Sequence, residues 1–265
     1  MLINSGRRRK AATAAVAIGT AVVLFGRWNG FTLPEYTREH LSGRIITSGT
    51  SRGEAKLVAL TFDDGPDPNY TPRILAILKH YGIHGTFFVQ GRMIRRYPDI
   101  VRNTVASGNT LGNHTDTHPY VERLDEKAAS LEISNCDAVI GKESGLATRL
   151  FRPPRGHWTP SVFRAAEANG KTMVLWTTAL EHESTPKPDQ MVDYVLKHMR
   201  PGGIILMHDG ANVNRETTVT ALPILIQRLR SEGYRFVTVQ EMLHMPAMEL
   251  RPGAHPLKST MNSPG

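Results

Sequence analysis

The sequence predicts an α/β fold in which parallel strands are covered by crossover helices. Two observations carry that expectation. Short apolar runs rich in β-branched and aromatic residues alternate, across residues 57–239, with longer segments of helical period; such alternation is the signature of parallel strands joined by crossovers. The side chains able to do chemistry also fall where the strand-like runs end, the place where α/β folds build their sites. Periodicity alone leaves open whether the sheet is doubly wound or closed into a barrel.

The elements follow in order. Residues 57–62 read as a strand, and 72–81 as a helix because Ile74, Leu75 and Leu78 recur at helical spacing. A strand over 86–89 and a helix over 98–107 come next. A helix over 125–140 carries Cys136, read as a buried helix-face residue. The pattern continues with a strand at 150–151, a helix over 160–169, a strand over 172–176 and a helix over 189–199. It ends with a strand over 203–207, a helix over 218–232 and a strand over 236–239. No internal repeat, G-x-G-x-x-G run or Walker-type loop interrupts it.

With 265 residues, 40% hydrophobic and 21% charged, one large domain fits better than two small ones. That domain is expected over 56–244, after a Gly/Ser/Thr-containing linker over 29–55 and before a proline-bearing tail over 245–265 expected to be disordered. The net charge of +8 favours anionic surroundings such as lipid head groups or an acidic wall polymer. Nucleic acid is not expected as a partner, because basic and aromatic residues are not interleaved in a binding pattern. A single cysteine excludes an intrachain disulfide. Oligomeric state is not legible.

Residues 1–28 read as an address. Arg7, Arg8, Arg9 and Lys10 precede an uncharged, mostly apolar run over 11–26, closed by Arg27 and Trp28. As a helix this run would span ~24 Å against a hydrocarbon core of roughly 30 Å, short for a membrane span and long for a signal-peptide core. The lack of a small-x-small cleavage site and the position of Trp28 favour an uncleaved signal anchor over a signal peptide. The domain is then expected outside the cytoplasmic membrane, anchored, or secreted if the segment is cleaved.

Thr61-Phe62-Asp63-Asp64-Gly65-Pro66 ends the first strand with two carboxylates and a turn. One could bind a cation while the other handles protons; an Asp-Gly turn with a capping aspartate is the plain structural alternative. His114-Thr115-Asp116-Thr117-His118 spaces two histidines four apart, which one helical turn would bring to the same side. With Asp64 they complete a two-histidine, one-carboxylate set that leaves metal positions open. Non-haem iron oxygenases use the same set, so hydrolase and oxygenase both remain possible on these residues. Phe151-Arg152-Pro153-Pro154-Arg155-Gly156 and Ile204-Ile205-Leu206-Met207-His208-Asp209 favour the hydrolase, since they add a fixed cation and a third histidine at strand ends. Acid/base hydrolysis needs an ionised carboxylate and a separate proton donor.

In this order the motifs resemble the polysaccharide deacetylases of carbohydrate esterase family four, also called NodB-homology proteins. The resemblance covers about 56–243 and rests on Thr-Phe-Asp-Asp-Gly-Pro at 61–66, Gly-Asn-His-Thr-x-x-His-Pro at 112–119, Arg-x-Pro-x-Gly at 152–156 and Ile-x-Leu-x-His at 204–208, with Gly85-Thr86-Phe87-Phe88-Val89 similar to the family's second strand. It implies a distorted (β/α) barrel of seven or eight parallel strands and a divalent metal, usually zinc and sometimes cobalt or nickel. Asp64, His114 and His118 match the metal ligands, Asp63 the catalytic base, His208 the catalytic acid and Arg152 the arginine that holds the base. Trp176 and Leu206 lie where the family lines a pocket for the acetyl methyl group. Pro154, Arg155 and Gly156 fall at the substrate rim, with a backbone N–H near Arg155 facing the developing oxyanion. The implied reaction removes N-acetyl groups from a GlcNAc-containing polysaccharide, peptidoglycan or chitin-like oligomers.

Two departures stand out. The family's fourth motif supplies an Asp that supports the acid histidine, whereas Trp176-Thr177-Thr178 leads here to Ala179, with His182 and Glu183 beyond. Glu181 or Glu183 could substitute, Glu181 being suggested by proximity alone. Arg155 stands where the family has an aromatic residue, a change expected at the sugar-binding rim. The alternatives are an O-acetyl esterase of xylan type, and a glycan- or metal-binding protein with impaired catalysis.

Overall fold

The computed structural model describes residues 45–49, 55–181, 187–211 and 213–245. The targeting run, most of the expected linker, His182, Glu183 and the tail beyond Met245 lie outside them. No helix among the described residues is long and apolar enough to cross a membrane.

Nine strands and eight helices are seen among the described residues: β1 (Ile45–Ile46), β2 (Lys56–Asp63), α1 (Thr71–His80), β3 (Thr86–Val89), α2 (Gly91–Arg96), α3 (Pro98–Ala106), β4 (Thr110–Asn113), α4 (Glu126–Ser144), β5 (Leu150–Phe151), α5 (Pro160–Ala168), β6 (Thr172–Val174), β7 (Thr178–Ala179), α6 (Pro188–His198), β8 (Gly203–His208), α7 (Glu216–Ser231), β9 (Tyr234–Phe236) and α8 (Val239–Met242). Eight strands run in the order β1-β6-β5-β4-β3-β2-β8-β7, and β9 adds to β2. Every strand pair is parallel. The sheet curls, and Ser48, just beyond β1, bridges Gly203 at the start of β8. This is the distorted (β/α) barrel expected.

Side-chain alternation divides the core. Val58, Leu60 and Phe62 of β2, with Ile205 and Met207 of β8, pack outward against Ile74 and Leu78 of α1 and Leu222, Leu225 and Leu229 of α7. Ala59, Phe88, Leu150, Val174 and Ile204 form a second cluster inside the curl. Each fully buried Phe or Leu contributes roughly 1.5–3 kcal/mol relative to exposure. The inward parity matters for function, because residues two positions further along the same strands must point to the same interior.

The structure adds strands β4 and β7 and helix α2, which were not expected, and ends β6 at Val174 rather than at 176; it departs from the sequence expectations at four further places. Residues 45–46, inside the stretch read as a linker, pair with β6. The run 236–239 splits, with β9 ending at Phe236 and a helix starting at Val239. There Thr238 and Glu241 form a reciprocal capping box, whose two satisfied N–H groups outweigh the β-propensity of Val237-Thr238-Val239. The helix expected over 125–140 runs on to Ser144, because Gly145 at φ 72° is its terminator. The fourth concerns the histidine pair, described below.

Candidate active site

Strand parity assembles the site. Ala59 faces the interior, so Thr61 and Asp63 do as well; Leu150 leads to Arg152, Val174 to Trp176, and Ile204 to Leu206 and His208. In the β2–β8 register Asp63 lies opposite His208. An ideal strand would turn Asp64 to the other face. Asp64 instead has φ 76°, which swings its carboxylate back toward the same histidines.

Arg152 is fully buried. Its Nη1 donates to Asp63 Oδ1 at 2.7 Å and to Thr61 Oγ1 at 2.9 Å, while Nε and Nη2 donate to the Val174 and Leu175 carbonyls at 3.1 and 3.0 Å. The Phe88 ring lies 4.1 Å and the Trp176 ring 5.7 Å from the guanidinium. A buried guanidinium is tolerable only when its donors are answered in this way. The second oxygen, Asp63 Oδ2, lies 3.8 Å from His114 Nε2.

Asp64, His114 and His118 offer one ligand atom each, all within 4.8 Å of one another. The histidines do not sit on a helical turn as their spacing suggested. They lie in the loop after β4, where Thr115 (φ 68°) and His118 (φ 59°) are left-handed, and this path rather than an α-turn brings the ring centroids to 5.2 Å. His114 Nδ1 lies 2.7 Å from the Arg152 carbonyl. A carbonyl only accepts, so Nδ1 carries the proton and Nε2 presents its lone pair, 3.5 Å from Asp64 Oδ1. His118 Nε2 is 3.2 Å from the same oxygen.

Electrostatics suits this donor set. Burial alone would raise the Asp64 pKa, but its contacts with His114 first, and with His208 and His118, hold it well below the usual carboxylate range. Burial, together with the charges of His114, Arg155 and Arg92, brings His118 down to about 4 despite Asp64. The chain therefore presents one carboxylate and one neutral imidazole at neutral pH, with the lone pair of His114 aimed between them, and these residues fit a divalent cation. Gly210 packs on the peptide of Asp64 so closely that a Cβ there would overlap its carbonyl. Gly210→Ala should thus cost about 1–3 kcal/mol by overpacking, read as a lower melting temperature with weakened metal uptake.

His208 Nδ1 is hydrogen-bonded to Glu181 Oε2. The other oxygen, Glu181 Oε1, accepts from the His208 backbone N–H at 3.2 Å and from the Thr218 hydroxyl, and Arg215 lies 3.6 Å from Oε2. Burial would lower the His208 pKa, yet the hydrogen bond and charge of Glu181 and the charges of Asp63 and Asp64 raise it. Glu181 responds in the opposite direction, its pKa lowered by His208, Arg215 and Thr218 against the upward effect of burial.

The rim closes the site. Leu206 and Pro154 are buried, and Arg155 adopts φ 58° beside Gly156 at φ 69°. Gly156 abuts the Trp176 ring, which a Cβ would meet at 2.5 Å. Thus Asp63, Asp64, His114, His118, Arg152, Trp176, Leu206 and His208 converge from different strands, and four non-glycine residues of this small region have positive φ. Such clustering of strained backbone marks functional sites.

The model of the polysaccharide deacetylase family matches residues 50–174. The chain is 37% identical over 190 residues to a peptidoglycan-N-acetylglucosamine deacetylase of Bacillus cereus, covering 71% of this chain and 88% of that one. The chain belongs to the polysaccharide deacetylase family. It is also 37% identical over 202 residues to a chitooligosaccharide deacetylase of Sinorhizobium fredii, covering 72% and 92% of the two chains. A crystal structure of a peptidoglycan N-acetylglucosamine deacetylase superposes with a TM-score of 0.73 at 30% identity, covering 77% of this chain and 94% of that one.

Three residues that hold this polysaccharide deacetylase site together were given no role from sequence. Gln90 donates to Asp64 Oδ1 at 2.7 Å; its place at the C-terminal end of β3 was the signal that could have revealed it. Asn113 accepts from the Thr115 N–H at 2.8 Å. Glu132 accepts from the Asp116 and Thr117 N–H groups at 3.0 and 2.8 Å, so it braces the histidine loop from α4. No local pattern marks Glu132, because its contact is purely tertiary.

Proposed function

We propose that the chain is a metal-dependent deacetylase that hydrolyses N-acetyl groups on a GlcNAc-containing polysaccharide, peptidoglycan or a chitin-like polymer, outside the cytoplasmic membrane. The observation that carries this reading is the Arg152–Asp63 pair set directly against the Asp64/His114/His118 triad with His208 alongside. The mixed nitrogen and oxygen donors suit zinc, with cobalt or nickel as substitutes. The basic block and apolar run of residues 1–28 support export and membrane anchoring, or secretion on cleavage.

When bound, the metal polarises the acetyl carbonyl and lowers the pKa of water. Arg152 fixes Asp63 through Oδ1, so Oδ2 is the oxygen that takes the proton of the attacking water. Glu181 orients His208 through Nδ1–H, leaving Nε2 to protonate the departing amine. The backbone N–H at Arg155 supports the oxyanion, and Trp176 and Leu206 enclose the methyl group. Glu181 therefore does the work of the carboxylate missing at Ala179, which removes the motive for an impaired binding protein.

Glu181→Gln should cut kcat about 10-fold at mildly alkaline pH. Because Glu181 raises the pKa of His208, its loss moves the alkaline limb of the kcat profile to lower pH. An unmoved limb would mean that Glu181 does not support the acid. The reading itself is tested by acetate release from N-acetylated chito-oligomers and peptidoglycan against acetylated xylan. Preference for the amides sustains it, preference for the ester makes the chain an O-acetyl esterase, and no release by folded, zinc-loaded protein leaves only glycan binding.

A further inference from the structure

The residue after metal ligand His118 is Pro119, and its carbonyl accepts a 2.8 Å hydrogen bond from Arg155 Nη1. The guanidinium of Arg155 also lies 4.0 Å from the Tyr120 ring centroid, and that of Arg123 lies 4.8 Å from the same ring. Tyr120 is 52% exposed, and both arginines are exposed. Arg92, held by Gln90 Oε1 at 2.7 Å and by its backbone N–H on the Asp116 carbonyl at 2.9 Å, adds a third cation beside the histidine loop. Glu122, which faces His157 at 3.5 Å, offsets part of this field but leaves the rim cationic.

A tyrosine whose ring is covered by guanidinium is poorly placed as a platform for a neutral sugar. It instead fixes the direction of Arg155, so that little side-chain freedom is left to lose on binding. One Arg155 donor is used by Pro119, and its other N–H groups have no partner among the described residues. A planar fork with free donors, held rigid beside a hydrolytic centre, matches a carboxylate.

We propose that Arg155, braced on Tyr120 and seconded by Arg123, binds a carboxylate of the polymer next to the sugar being deacetylated, so that the preferred substrate is an N-acetylated glycan bearing carboxylates rather than a neutral one. This rests on the deacetylase reading above and narrows its substrate class. The carboxylate belongs to the glycan's own substituents, the free lactyl ether of a muramyl sugar.

The test compares kcat/KM for acetate release by the zinc-loaded full chain on three substrates. They are neutral chito-oligomers, peptide-free glycan strands with free lactyl carboxylates, and the same strands with those carboxylates converted to methylamides. The wild type should favour the free carboxylate over the methylamide by about 10-fold at low salt, and less at high salt. Arg155→Gln should lower that ratio by about 10-fold and Arg123→Gln by less, with melting curves showing that both variants fold. Equal use of carboxylate and methylamide strands by the wild type would overturn the proposal, as would an Arg155→Gln loss of the same size on every substrate. If no substrate releases acetate, the deacetylase reading fails on its own. Calorimetric binding of the two strand forms then decides the subsite: a carboxylate preference abolished in Arg155→Gln sustains it, and equal affinities refute it.

Discussion

Asp63→Asn should lower acetate release by about 10²–10⁴-fold while the protein still takes up one equivalent of zinc. Asparagine keeps the volume and can still accept a hydrogen bond from Arg152, but its amide cannot take the water's proton. The metal set of Asp64, His114 and His118 does not include Asp63, so zinc content, measured by atomic absorption after dialysis, separates loss of the base from loss of the site. A variant that retains more than about a tenth of the activity would assign the proton transfer to another group.

Arg152→Met should be the most destabilising single change in the site. It leaves the Asp63 carboxylate buried without its cation and the Val174 and Leu175 carbonyls without their donors. Breaking a buried pair from one side costs about 3–5 kcal/mol, which for a domain of this size lowers the melting temperature by roughly 6–20 °C. Adding Asp63→Asn to Arg152→Met should recover part of that loss, because no unpaired charge then remains. If the two losses simply add, the pair is not coupled as the geometry requires.

How much of this was legible beforehand depended on the range of the contacts. The strands β2, β3 and β8 were readable because each is a short local apolar run. The alternation of side chains that any strand imposes then fixes which of Asp63, Arg152, Trp176, Leu206 and His208 face the interior. The histidine pair was identified, but its conformation was not: i,i+4 spacing suggested a helix, whereas two left-handed residues and the Glu132 brace make a loop. The role of Glu181 could be guessed from position alone, since whether its longer side chain reaches His208 depends on the turn after β7 and on Thr218 in α7. β1 escaped notice because two isoleucines in a polar stretch carry no periodic signal, and only their partners in β6 make them a strand.

The central claim is that the Asp64, His114 and His118 triad binds a metal on which amide hydrolysis depends. The direct measurement follows acetate release from an N-acetylated glycan by the full chain before chelation, after chelation and dialysis, and after zinc is restored, with His118→Ala in parallel. The account predicts that activity disappears with the metal, returns with zinc in the wild type and does not return in His118→Ala. Acetate release that persists in the demonstrably metal-free protein would contradict it.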